Sequence, residues 1–261
     1  FVLETVRTNL PDTTTADPNE GTLINSVEFL LHNFSEMTRL LKALSTGSSE
    51  KNVTLQQQLC QLVGKNLMLL SNLEGTTFEL YQSNILPRCL ETTLLSKDQV
   101  VQDYIYNALI VTFPAEYHLQ TLDELLRSLS GVVENVKLCT ILTTLMNRIT
   151  TLVKSNPTFP KTLDIYAIFN ANIAHIIQMQ HVSMYDTLCI YAALARLVLV
   201  WYEQDVAYQN LNEIIVTLHQ FVEKEAPLPK ETAKELHSFL EFPFGVFEIF
   251  KVISLSKYPQ L

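Results

Sequence analysis

Apolar residues recur along this chain at spacings of three and four. From Leu119 they fall at Leu122, Leu125, Leu126 and Leu129, and from Leu138 at Leu142, Leu145, Ile149 and Leu152. Leu211, Ile214, Ile215, Leu218 and Phe221 repeat the pattern, with Asn212, Glu213, Thr217, Gln220 and Lys224 on the opposite side. Each set lines one face of a 3.6-residue helix. Alternation over a strand length is scarce, and the apolar windows exceed the roughly five to six residues of a typical strand. The pattern predicts an all-α chain.

Proline and glycine punctuate it, because proline cannot donate an interior helical hydrogen bond and biases the residue before it away from the α region. Breaks are expected at Leu10–Gly21, Ser45–Lys51, Leu73–Thr77, Ser96–Lys97, Phe113–Ala115, Ser130–Glu134, Ser155–Pro160, His181–Ser183, Glu203–Asp205, Ala226–Pro229 and Glu241–Phe244. Between them fit about a dozen helices with short connections, so sequential helices should be antiparallel neighbours. Capping residues agree with several of these ends: Ser183 and Asp205 precede apolar runs, Gly131 follows one, and Pro229 suits a first helical turn. Taken in pairs, 77–95 with 97–112, 116–130 with 135–154, 161–180 with 184–202 and 205–224 with 229–241, the helices recur roughly every 38 to 45 residues, a period in the HEAT and armadillo range. Pro87 lies inside the first helix of the first pair, where a kink is expected. Residues 244–258 begin a further unit without a partner. The expected architecture is an α-solenoid of HEAT-like antiparallel hairpins, a single segment over 1–261 with no separate domains and cut at both ends, since a complete array carries polar capping helices.

Composition sharpens this picture. Only 6 glycines occur in 261 residues, where average usage would supply about 18, which leaves little room for phosphate loops or barrel corners. The chain is 48% hydrophobic and 17% charged, enough apolar material for a core. A net charge of −9 with no cluster of cations argues against a nucleic-acid partner. Cys60, Cys89, Cys139 and Cys189 are spaced by 29, 50 and 50 residues, so none forms a metal knuckle or a CxxC pair. They read as reduced core thiols of a cytosolic protein. Phe1 to Leu10 lack a signal-peptide pattern, and an opening Phe rather than Met is expected of a processed or cut fragment. Leu188 to Tyr202, apolar apart from Arg196, falls short of the roughly 20 residues of a membrane span and reads as a buried helix.

The search for chemistry returns no catalytic, cofactor-binding or metal-binding residue, and no cofactor. Val63-Gly64-Lys65-Asn66 lacks the upstream glycine of a phosphate loop and carries Asn66 in place of its Ser/Thr. His32, His118, His175, His181, His219 and His237 include no H-E-x-x-H and read as satisfied surface or groove histidines. Asp98 and Asp103 lack the third acid of a diphosphate-binding cluster, and Glu203 and Asp205 flank a helix break, where acids suit the macrodipole. Phe239, Phe242, Phe244, Phe247 and Phe250 admit three readings: a partner-binding patch, inter-repeat core, or surface exposed by truncation. Pro157-Thr158-Phe159-Pro160 reads as a linker between two helices.

Several segments, gathered in order, carry a family resemblance. Phe113-Pro114-Ala115-Glu116-Tyr117-His118-Leu119-Gln120-Thr121-Leu122 resembles the F-P-D-E-F-H-L-Q-T-L run of the large subunit of retromer, the vacuolar protein sorting-associated protein 35 family. Leu62-Val63-Gly64, Asn66-Leu67, Leu70-Ser71 and Leu73-Glu74-Gly75 are similar to that family's L-V-G-x-N-L-x-x-L-S-x-L-E-G. Val27-Glu28-Phe29-Leu30 with Asn33-Phe34 and Glu36-Met37, and Ile85-Leu86-Pro87 with Leu90-Glu91, resemble neighbouring family helices. Where the family carries a W-V-R-x-Q-H-Q-G-like segment, this chain departs, reading Leu40-Leu41-Lys42-Ala43-Leu44-Ser45-Thr46-Gly47.

The resemblance implies a non-enzymatic scaffold segment, from the middle of the N-terminal half of the subunit, in endosomal sorting and retrograde transport of transmembrane cargo. It further implies other retromer subunits as partners, an arrestin-like one toward the N-terminal side and a metallophosphoesterase-like one through the C-terminal half, with sorting nexins, small GTPases and cargo tails as further candidates. Localisation would be cytoplasmic, on endosomal membranes only indirectly. The alternatives are another helical-repeat adaptor of coat or transport-receptor type, or an all-α enzyme.

Overall fold

A computed structural model of the chain describes residues 22–45, 50–156 and 158–224. Among them all regular structure is helical, the all-α fold of helix hairpins that the periodicity predicts. The chain divides into two compact units, Phe1–Val136 and Lys137–Leu261.

The described part of the first unit opens with α1 (Leu23–Ser45) and α2 (Glu50–Asn72), which pack on one another as a hairpin. Gly75 then supplies a positive φ of 87° for the turn. The helical run that follows comprises α3 (Phe78–Leu80), a π-helical turn at Tyr81–Ile85 and α4 (Leu86–Ser96). The π-turn stands one turn ahead of Pro87, where the sequence predicts a kink. Pro87 has no N–H to donate to the Ser83 carbonyl and its ring would clash with that carbonyl. The ladder widens one turn ahead, with the Leu86 N–H reaching Tyr81 O instead. Lys97, at φ 50°, ends α4, and Asp98 caps α5 (Gln99–Thr112) by accepting from the Val101 N–H at 2.9 Å. The second hairpin stacks on the first in register, α4 against α1 and α5 against α2. This like-on-like layering is the unit step of a helical-repeat array.

The helix expected over 116–130 is broken. It forms α6 (Ala115–Gln120), α7 (Leu122–Ser128) and a 3₁₀ turn, Leu129–Gly131, because Thr121 (φ −110°, ψ 20°) leaves helical geometry between them. Leu122, Leu125, Leu126 and Leu129 are all buried, as their spacing requires.

The second unit contains α8 (Leu138–Ser155), α9 (Ile165–Gln180), α10 (Met184–Trp201) and α11 (Gln204–Lys224). The expected pair of 161–180 with 184–202 is present as a contact between α9 and α10, yet α10 packs far more extensively on α8, and next on α11. It is buried on most of its circumference, through Leu188, Ile190, Tyr191, Ala193, Leu194, Ala195, Leu197, Val198 and Trp201 among others, while Arg196 reaches solvent. By length and composition it is the one described helix apolar enough to cross a membrane, and 67% of it is buried against the protein. Ser183 caps it, its hydroxyl accepting from the Asp186 N–H at 3.1 Å, whereas Asp205 lies in the first turn of α11. The phenylalanines from Phe239 to Phe250, the expected helices over 229–241 and 244–258, and the first break, at Leu10–Gly21, lie outside the described residues.

Candidate functional site

The segment that carries the family resemblance is a joint in the core of the first unit. Pro114 cannot donate to the Ile110 carbonyl, so the last turn of α5 would leave that acceptor unmet. His118, four residues on, turns back and places Nε2 at 3.2 Å from Ile110 O, while its Nδ1 lies 3.2 Å from the Tyr81 hydroxyl. A carbonyl only accepts, so Nε2 carries the proton and Nδ1 receives the Tyr81 O–H. Around this pair, Tyr81 meets Phe113 at a ring-centroid distance of 4.8 Å and Tyr117 at 5.2 Å, and Phe78 meets Tyr117 edge-on at 5.5 Å. Phe113, Tyr81 and His118 are fully buried. The expectation of surface or groove histidines is therefore corrected at His118, a core residue held by two hydrogen bonds; His32, His175 and His181 are exposed. Burial pushes the Tyr81 hydroxyl well above its usual range, which keeps it a neutral donor. The cluster excludes solvent and fixes the α5–α6 corner; it presents nothing to a substrate.

Gly64 and Asn66, which superficially suggest a phosphate loop, lie in the middle of α2. A Cβ on Gly64 would stand 2.5 Å from the Tyr104 hydroxyl, so the glycine permits α5 to approach α2. Asn66 is fully buried. Asp98 is a helix cap that also accepts from the Ser45 hydroxyl.

The second unit offers more open features. A cavity of about 710 Å³ lies beside the His181 turn, lined by Ala174, Ile177, Gln178, Met184, Tyr191, Thr217 and Phe221. A second, of about 460 Å³, is bounded by Phe159, Lys161, Trp201, Tyr202 and Glu203. Here Thr158–Pro160, read as linker, packs back on the end of α10. Phe159 stands 6.4 Å from the Trp201 ring, Trp201 Nε1 donates to Leu163 O at 3.2 Å, and Lys161 Nζ donates to Val200 O at 3.0 Å. Neither cavity gathers acids, bases or a nucleophile in a catalytic arrangement, and among the described residues no group of three or more His, Cys, Asp or Glu is placed to hold a metal ion.

The cysteines depart from expectation. All four thiols are free, but only Cys89 is a core thiol, its pKa pushed up to about 12 by burial; Cys60, Cys139 and Cys189 are half-buried. Cys139 and Cys189, 50 residues apart in sequence, sit on α8 and α10, which pack on one another, and each acts on the other's ionisation, Cys139 being raised and Cys189 lowered. Spacing along the chain carries no sign of this pair, because it depends on which helices pack together.

The family described as Vacuolar protein sorting-associated protein 35 matches residues 1–261. A protein of that name from Dictyostelium discoideum is 30% identical over 271 aligned residues, which take in 100% of this chain and 34% of the relative. Vacuolar protein sorting-associated protein 35A of Arabidopsis thaliana is 30% identical over 99% of this chain and 34% of its own length. Vacuolar protein sorting-associated protein 35 of Schizosaccharomyces pombe is 30% identical over 52% of this chain and 16% of its own. The chain spans about a third of the length of the first three relatives it matches.

Proposed function

Because the chain belongs to the vacuolar protein sorting-associated protein 35 family, we propose that it is a non-enzymatic scaffold segment of the retromer large subunit, serving endosomal sorting and retrograde transport of transmembrane cargo. The observation that carries this reading is the family match over the whole chain; Phe113 to Leu122, which carry the sequence resemblance, build the α5–α6 corner. Hairpins stacked in register give a long protein surface over which many weak contacts can be distributed, which suits a scaffold. The acidic balance and the absence of a cationic cluster favour protein partners over phosphate backbones. Attachment to the endosomal membrane is through those partners, from the cytoplasmic side. They are the arrestin-like and metallophosphoesterase-like retromer subunits, with sorting nexins, small GTPases and cargo tails acting on the assembled complex.

The test is co-purification of the intact protein with the arrestin-like retromer subunit of its own organism. A stoichiometric complex is expected, and failure of the folded intact protein to bind that subunit overturns the assignment.

A further inference from the structure

The cavity at the end of α10 is walled by aromatic side chains that hydrogen bonds hold in place. Trp201, buried at its inner side, donates from Nε1 to Leu163 O at 3.2 Å. The Tyr202 hydroxyl accepts from the Tyr166 N–H at 2.9 Å and donates to Asp164 Oδ1. Phe159 belongs to a turn closed by its own N–H on Asn156 O at 3.0 Å, and its ring stands 6.4 Å from that of Trp201 at an angle of 59°. The remaining lining residues, Thr158, Lys161, Glu203 and Val206, are exposed, so the cavity opens to solvent between them. Walls fixed in this way lose little freedom when something binds.

The polar character of this cavity is one-sided. Its donors are engaged: the Trp201 N–H on Leu163 O, the Thr158 hydroxyl on Asn156 Oδ1 at 2.8 Å, and the Lys161 ammonium turned back onto Val200 O at 3.0 Å. Its carboxylate is open, since among the described residues Glu203 joins no ion pair. Asp164 adds a second negative charge behind Tyr202. The last carbonyls of a helix carry partial negative charge, and the Lys161 contact shows a cation already resting on those of α10. Two carboxylates against one ammonium leave the surroundings of the cavity negative, in keeping with the net charge of −9.

We propose that this cavity is a docking pocket for an arginine side chain presented by a partner protein, its guanidinium seated in the angle between Phe159 and Trp201 and its N–H edge toward Glu203. A flat, weakly hydrated cation suits aromatic walls, and its fork of donors suits a carboxylate. The aliphatic stem of the same side chain would lie along Val206, which is 43% exposed at the opening. A lysine ammonium is more strongly hydrated and lacks the planar face, so it fits less well. An anion would meet Glu203 and find the Trp201 and Thr158 donors already engaged. The pocket is a property of the second unit alone, and it does not depend on which complex the chain serves.

The experiment is titration of the intact protein with acetyl-arginine-amide at fixed ionic strength, read at Trp201, the single tryptophan of these 261 residues. Its emission is isolated as the difference between the unmutated protein and Trp201→Phe. A saturable change in the millimolar range is expected, with acetyl-lysine-amide weaker and acetyl-glutamine-amide without effect. Hydrogen exchange of the unmutated protein gives the location without any substitution, and the same probe should slow it over residues 158–164. Glu203→Gln, at an exposed position, should raise the half-saturating concentration about threefold, and Phe159→Ala about fivefold. Lys161→Met removes the competing ammonium and should lower it about threefold. A response that does not saturate, an equal response to acetyl-glutamine-amide, tighter binding of acetyl-glutamate-amide, or an unchanged titration in Glu203→Gln overturns the proposal. No readout depends on retromer assembly, so its failure is distinct from failure of the functional assignment.

Discussion

At the scale of single residues, His118 shows how a short motif becomes legible once backbone hydrogen bonds are accounted for. Pro114 ends α5 and strands the Ile110 carbonyl; a histidine four residues later is positioned to return a donor to it. His118→Ala removes that donor and the acceptor for Tyr81, and opens space in a closed cluster, so it should cost about 3 kcal/mol in chemical denaturation. Tyr81→Phe, which removes one hydroxyl and keeps the rings packed, should cost about 1 kcal/mol. Equal losses would mean that the imidazole contributes only through Tyr81. Gly64 supports a second residue-level argument. Alanine in a helix interior is ordinarily favoured over glycine by about 1 kcal/mol, yet here its Cβ would press on the Tyr104 hydroxyl. Gly64→Ala should therefore gain little or lose stability in the native sequence and gain about 1 kcal/mol in a Tyr104→Phe background. A double-mutant cycle measured by urea unfolding decides it, and additivity of the two changes would remove the close approach as the reason for glycine. Sequence marks Gly64 as the one glycine inside a helical run, but the reason lies on another helix.

At the scale of elements, helix ends were legible because each is written in local chemistry. Gly75, Pro114 and Ser183 punctuate where expected, as φ > 0 turn, breaker and cap, whereas the Asp98 cap is not among the capping residues that the pattern marks. Which helix packs on which was not. Periodicity gives a face but not the face it meets, so pairing by sequence order matches α10 with its neighbour α9, which it touches, and misses its larger partner, α8. That the helices carrying Cys139 and Cys189 pack together is hidden for the same reason. Buried polar bridges between elements are also invisible to a pattern of apolar positions. Gln102 is fully buried on α5; its Nε2 donates to Thr93 O of α4 at 3.2 Å and its Oε1 accepts from the Val133 N–H at 2.8 Å. Beside it Gln99 donates to Asn135 O at 2.8 Å, so the two glutamines hold the 132–136 turn against the second hairpin. Gln102→Leu preserves volume and leaves the Val133 N–H without its acceptor, so a loss of about 2 kcal/mol is expected. Hydrogen exchange should also quicken at Val133, and unchanged protection there would show that the turn is held by other contacts. The exposed ion pairs Arg39–Glu36 and Arg127–Asp123 sit within single helices and join no elements, and pairs of that kind contribute little.

At the scale of the whole molecule, the scarcity of glycine and the even spread of apolar residues are two views of one fact: nearly all of the described chain is helix that must bury a face against other helices. Each compact unit meets that requirement in its own way. The first layers hairpin on hairpin, α1 with α4 and α2 with α5, so its burial is shared among several interfaces. The second concentrates burial on α10, which contacts α8, α9 and α11. A helix that is apolar on nearly every side resembles a membrane span in composition and becomes a hub when neighbours enclose it. The consequence is testable at Leu194, fully buried in the middle of α10. Leu194→Ala deletes buried atoms that the surrounding helices cannot fully replace, and a loss of about 2 to 5 kcal/mol is expected. Because α10 is the shared partner, that loss should be felt as a rise in hydrogen exchange on α8 and α11 as well as on α10 itself, since cooperative units open together. Faster exchange confined to α10 would instead make it one element among equals, with the stability of α8 and α11 residing in contacts of their own.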